Sequence, residues 1–105
     1  MVIQPCGSTV GGSASGTSSA AIAIPPLSNT NNPQWVVLVN FGTNSMSFLF
    51  GQSGVAAAEM TTGIGVPADS MVAVNVAGNT HFRVISDAGT PAYQVIPLAG
   101  IPYGR

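Results

Sequence analysis

Lysine does not occur in this chain, and charge of either sign is scarce: the cations are Arg83 and Arg105, the acids Glu59, Asp69 and Asp87. Charged residues make up 5% of the sequence, against roughly a quarter in ordinary globular proteins. That scarcity excludes electrostatic capture of nucleic acid or anionic lipid, which needs clustered Lys and Arg. It also excludes disorder driven by self-repulsion. A formal net charge of −1 leaves little to hold protein surfaces apart, so association is favoured.

Cysteine is nearly missing as well. Cys6 stands alone, so there is no intramolecular disulfide and no thiolate metal cluster. A lone Cys is compatible with folding in a reducing cytoplasm. The first residues lack the basic and apolar regions of a secretory signal. No run reaches the ~18 apolar residues that a membrane helix requires, and no Asn-x-Ser/Thr sequon occurs. These absences predict a soluble protein made in the cytoplasm, without a membrane partner.

Convergent titratable groups are lacking too. His81 alternates with Phe82 on an expected strand, which puts it on the polar face as a solvated or interface residue. Gly51-Gln-Ser-Gly54 is not a nucleophile elbow, because that motif needs Gly two residues after Ser on a strand-to-helix turn. Asp69 and Asp87 fall in turns, where Asp serves ordinary backbone capping. Gly63-Ile-Gly65 lacks the Lys and helix of a phosphate loop. Cys6 lies beside neither base nor cation. The sequence therefore predicts no catalytic, cofactor-binding or metal-ligating residues, no cofactor and no enzyme. An enzyme would need His81 to meet an acid and a nucleophile in space.

What the sequence does have is concentrated between Trp35 and Gly54. Two apolar runs there flank Gly42-Thr43-Asn44 and read as strands joined in a tight hairpin. Trp35, Val37, Val39 and Phe41 share one face of the first strand; Met46, Phe48 and Phe50 share one face of the second. Val36 and Leu38 are apolar on the opposite face, so the first strand reads as covered on both sides. Large rings carry the most apolar area per residue, which places the densest part of the core here.

Around this stretch, residues 7–19 are nearly all Gly, Ser or Thr and predict a flexible arm, with Val2 and Ile3 as its apolar anchor. Ala20 to Ile24 is a short strand stopped by Pro25 and Pro26, with Ile22 and Ile24 on one face. Gly63 and Gly65 suggest a bulge or edge in Met60–Val66. Val72, Val74 and Val76 face one way in the next strand, and Gly78-Asn79 is a hairpin centre leading to Phe82 and Val84. A last strand runs through Tyr93 and Val95 to Leu98, followed by an extended tail bearing Ile101 and Tyr103.

Short strands at near-regular spacing, with no helix of useful length, predict an all-β single antiparallel β-sandwich, jelly-roll or Ig-like. Residues 1–19 form its flexible N-terminal arm and residues 20–105 the sandwich with its short extended C-terminal tail. The expected core is Trp35, Val37, Val39, Phe41, Met46, Phe48, Phe50, Val72, Val74, Phe82, Val84, Tyr93 and Val95. The candidate interface residues are Val2, Ile3, Ile22, Ile24, Ile101 and Tyr103. Sheet edges usually carry Lys or inward charge, and with so little charge to place, these edges are expected to be covered by other protein.

Asn40-x-Gly-Thr43, Phe50-Gly-x-Ser-Gly-Val55, Pro67-Ala68, Thr80-His81 and Gly89-Thr90 resemble a set of small tailed-bacteriophage virion proteins, often capsid decoration (cement) proteins. The resemblance spans about residues 18–100 and rests on turns and core positions. Relatives often carry Arg just before the Phe-Gly and Gly-Glu-Gly near the end, where this chain has Leu49 and Ala99-Gly-Ile101. The resemblance implies a structural virion protein on the outer surface of the phage head, synthesised in the host cytoplasm and bridging neighbouring capsomers. Its implied partners are the major capsid protein and further copies of itself, as a trimer in preference to a dimer. A neck, tail or fibre-base component is the alternative within the virion. A carbohydrate-binding module, with Trp35, Tyr93 and Tyr103 as platforms, is the alternative outside it.

Overall fold

A computed structural model describes residues 10–24, 35–76 and 78–98. Its strands are β1 (Val10–Ser13), β2 (Ile22–Ala23), β3 (Trp35–Asn40), β4 (Met46–Gly51), β5 (Ile64–Val66), β6 (Ser70–Asn75), β7 (His81–Ser86) and β8 (Ala92–Leu98). No helix occurs among the described residues. The strands make two four-stranded antiparallel sheets, ordered β1-β8-β3-β6 and β2-β7-β4-β5, packed face to face.

The pairing is nested. β1 pairs with β8, β2 with β7, β3 with β6 and β4 with β5, and the contacts β3–β8 and β4–β7 join these pairs into sheets. Among the described residues, β4 and β5 are the one pair of consecutive strands that share a sheet.

That topology corrects the hairpins expected from the turn residues. β3 and β4 do not pair; residues 41–45 carry the chain from one sheet to the other. β6 and β7, on either side of Gly78-Asn79, also lie in different sheets. Gly78 does adopt the positive φ that its position called for, at 86°. A left-handed residue reverses the chain equally well within a sheet and between two sheets, so the local signal could not choose.

Asn40 fixes the first of these crossings. Its Nδ2 donates to the carbonyls of Asn44 at 2.7 Å and Val66 at 3.1 Å, and its Oδ1 accepts from Gly42 N–H at 2.9 Å. One buried amide thus ties the end of β3 to the turn and to β5 of the opposite sheet. With its hydrogen bonds made, the amide sits in the interior without the cost of an unpaired polar group.

The core lies between the sheets. Val36, Leu38, Tyr93 and Val95 enter it from one side, and Met46, Phe48, Val66, Phe82 and Val84 from the other. Phe48 and Phe82 are tilted with centroids 5.9 Å apart, and Tyr93 meets Phe82 edge-on at 6.1 Å. Phe50, Val72 and Val74 are half-buried against this cluster.

The inward face of β3 is the reverse of the one expected. Val36 and Leu38 point to the inter-sheet core, whereas Val37 and Val39 are buried in a second cluster on the outer side, with Trp35 half-buried beside them. Phe41, expected in the core, is 55% exposed, because it follows the outer side of β3 past the end of the strand. Both sides of β3 are apolar, so period-two patterning fixes which residues share a face but not which face meets the other sheet.

The flexible arm is corrected from Val10 onward. Residues 10–13 are strand β1, Ser86 N–H donates to the Ser15 carbonyl at 2.8 Å, and Ser19 N–H to that of Val84 at 2.9 Å. Ser19 Oγ accepts from Val84 N–H at 3.0 Å. A ladder of main-chain hydrogen bonds needs no bulky side chain, so a Gly/Ser/Thr stretch suffices where an edge is waiting for it. The glycines also allow close approach: a Cβ on Gly12 would stand 3.3 Å from the Tyr93 hydroxyl. The earlier part of the expected arm, with Val2, Ile3 and Cys6, lies outside the described residues.

Candidate functional site

The two outer faces of the sandwich differ in kind. On the β2-β7-β4-β5 sheet the chain covers its own strands. Arg83, projecting from β7, donates from Nε to the Ser19 carbonyl at 2.7 Å and from Nη1 to the Val55 carbonyl at 3.2 Å. Ala58 N–H donates to Ser18 Oγ at 2.8 Å and its side chain is buried. Gly63 lies against Ser47 and the Phe48 carbonyl so closely that no Cβ would fit. The Ser47 hydroxyl beneath it is buried with no hydrogen-bond partner.

The outer face of the β1-β8-β3-β6 sheet has another character. None of its four strands, VGGS, AYQVIPL, WVVLVN and SMVAVN, contains a charged residue. Antiparallel register sets Val37 against Ala73 on one side and Ile96 on the other, and Val39 against Met71 and Gln94. Trp35 stands opposite Leu98 and Asn75. Val37, Val39 and Leu98 are buried in this cluster, with Trp35, Ala73 and Ile96 packed around them. Towards one end the face opens, with Phe41 at 55% and Met71 at 54% exposure. Phe41 keeps to the sheet through its N–H, which donates to the Ala92 carbonyl at 2.9 Å.

Two large exposed apolar side chains on one charge-free sheet are what a protein-docking surface requires. They offer apolar area to bury, with the exposed Asp69 beside them, its N–H donating to the Gly42 carbonyl at 3.1 Å. Isolated exposed apolar residues are ordinary; adjacency on a continuous apolar face is not.

The titratable groups are placed otherwise. His81 Nδ1 is 2.8 Å from Thr80 Oγ1, which also donates to Gln52 Oε1 at 3.1 Å. Asp69 and Asp87 are exposed in turns, and Glu59 is exposed between β4 and β5. No cluster of three or more His, Cys, Asp or Glu that could hold a metal ion occurs among the described residues. No described helix is long and apolar enough to cross a membrane. Burial raises the Tyr93 pKa by penalising the phenolate.

Of the expected interface residues, Ile24 is a correction: it is buried in the inter-sheet core. Ile22 is half-buried against the same core. Pro25 and Pro26 ended the apolar run, which made the short segment look like an accessory strand, yet its register beside β7 turns both isoleucines inward. Val2, Ile3, Ile101 and Tyr103 lie outside the described residues. Met71 was missed, although its parity with Ala73 and Asn75 opposite the inward valines was readable. The chain matches no protein-family model, no curated protein and no solved structure.

Proposed function

We propose that this chain is a structural protein of a virion, most specifically a decoration (cement) protein seated on the outer surface of a phage head. The observation that carries the reading is the charge-free outer face of the β1-β8-β3-β6 sheet, with Phe41 and Met71 exposed at its open end. The part of it offered to the shell of major capsid protein is the end carrying Phe41 and Met71, since Val37, Val39 and Leu98 are already buried within the chain. Permanent assemblies favour such surfaces, because apolar burial stabilises them without the desolvation cost of buried charge.

The nested order of strands supports the jelly-roll form of the sandwich over the Ig-like form. Jelly rolls place eight strands in two sheets by folding one long antiparallel pair upon itself, and they recur in viral capsid and lectin domains. Fold alone does not choose among these functions. The carbohydrate-binding alternative loses one of its platforms, because Tyr93 is buried between the sheets. A neck, tail or fibre-base position would use the same apolar face and is separated by where the protein sits on the particle.

The test is binding of the purified chain to phage shells that lack it, at low and high salt. Apolar docking predicts affinity that is insensitive to salt, in contrast to contacts between charges. Phe41→Lys should weaken binding about tenfold or more, since burying one large side chain is worth about 1.5–3 kcal/mol. Binding that collapses with salt, or that ignores Phe41→Lys, would overturn the proposed face. Particle density at a neck or tail would move the protein within the virion.

A further inference from the structure

We propose that Met71 is an oxidation site that regulates the docking face: a hydroperoxide converts its thioether to the sulfoxide, and the apolar end of the β1-β8-β3-β6 sheet becomes polar. The oxidation rests on this chain alone, and its effect on shell binding rests on the function proposed above. Of the four methionines, Met46, Met60 and Met71 lie among the described residues, and the fold gives each a different setting. Met46 is fully buried between the sheets. Met60, in the cover between β4 and β5, is 37% exposed, and Met71 is 54% exposed. An oxidant must reach the sulfur, so Met71 leads and Met46 is shielded.

Register puts the leading sulfur on the docking side. Met71 stands opposite Val39, which is buried in the outer cluster, so the two share the outer face. Val72, next along β6, packs toward the inter-sheet core instead. Phe41, two positions past Val39, continues the same face beyond the end of β3. Of the two large exposed side chains at this end, Met71 is the one that carries sulfur.

The step balances with the peroxide as its co-reactant. A sulfur lone pair attacks one peroxide oxygen; an S–O bond forms and the O–O bond breaks. Sulfur gives up two electrons to the leaving oxygen. That oxygen takes the proton of the transferred one and departs as water or, from an organic hydroperoxide, as an alcohol. The sulfoxide oxygen is a strong hydrogen-bond acceptor. In the free chain water satisfies it, because the side chain is more than half exposed. Against an apolar partner it meets no donor, and an unpaired polar group opposes burial. Phe41 is unchanged by the reaction, so the contact weakens without being abolished. Thiol-dependent reductases return the sulfoxide to the thioether, which makes the change reversible.

The test treats the full chain with hydrogen peroxide, on a Cys6→Ser background that removes the competing thiol. Peptide mass spectrometry should find Met71 oxidised first and Met46 only after denaturant exposes it. Chain oxidised at Met71 should keep its thermal midpoint but leave a phenyl matrix earlier, a reading of the apolar face that needs no shell. Its affinity for phage shells should fall about tenfold. Each variant is read against its own untreated affinity: Met60→Leu should lose as much as the background, and Met71→Leu should lose none. Met71 oxidised no faster than Met46, a lowered midpoint, unchanged retention, or equal losses in Met71→Leu and the background would each overturn the proposal. Shells that never bind the untreated chain would overturn the virion reading instead, and retention on the phenyl matrix would still decide the role of Met71.

Discussion

Phe48 and Tyr93 meet edge to face across the two sheets, ring centroids 5.5 Å apart and planes at 83°. Each ring comes from a strand flanked on both sides, β4 between β7 and β5, and β8 between β1 and β3. The contact therefore joins the centres of the two layers. Phe48→Ala should cost about 3–5 kcal/mol, from lost burial and the cavity left behind. Denaturant unfolding of the purified variant reads it directly, and a near-neutral outcome would place the core elsewhere.

Asn40 makes the second junction between layers. Asn40→Ala should cost about 2–4 kcal/mol, since it removes three hydrogen bonds and strands the buried Val66 carbonyl without its donor. The loss should appear as a lower denaturant midpoint with an unchanged slope, because the surface exposed on unfolding stays the same.

Arg83 ties Ser19, in the segment beside β7, to Val55 at the start of the cover that lies between β4 and β5, by its two carbonyl contacts. Arg83→Met keeps the aliphatic stem and removes the donors. About 1.5–3 kcal/mol should be lost, and amide exchange at Ala58 should quicken more than at Leu38 in the centre of β3. Equal acceleration everywhere would mean that Arg83 supports the whole fold and not that cover.

Tyr93 links stability to alkaline pH. Its pKa is raised in the folded protein by burial, so the unfolded chain loses this proton first as pH climbs. The stabilising contribution is complete below the ordinary phenol value of about 10 and is lost as pH rises through the folded value. Tyr93→Phe should flatten that alkaline decline in stability, measured by thermal unfolding as a function of pH. A decline of the same steepness in Tyr93→Phe would assign it to another group.

Much of the architecture was legible. The strands around Val37, Phe48, Val72, Phe82 and Val95 announced themselves by period-two patterning, and Gly63-Ile-Gly65 signalled an edge that β5 indeed forms. Two things were not. The glycine and serine run before Ala20 has no apolar pattern, so its place beside β8 and β7 rests on backbone hydrogen bonds that sequence does not encode residue by residue. Phe41, just past the end of β3, and Met71, in β6, are 30 positions apart in sequence and are brought to the same end of one face by β3–β6 pairing.

The sequence by itself determined that this protein is built of short strands, that it carries almost no charge, and which residues of each strand travel together on one side. Those properties are local, set by side-chain chemistry and the alternation of an extended backbone. Which strands become partners, which side of β3 turns inward, and that one charge-free face ends in Phe41 and Met71 were decided by tertiary structure alone. Pairing partners and inward faces are chosen by burial summed over the whole chain, and no short window of sequence contains that sum.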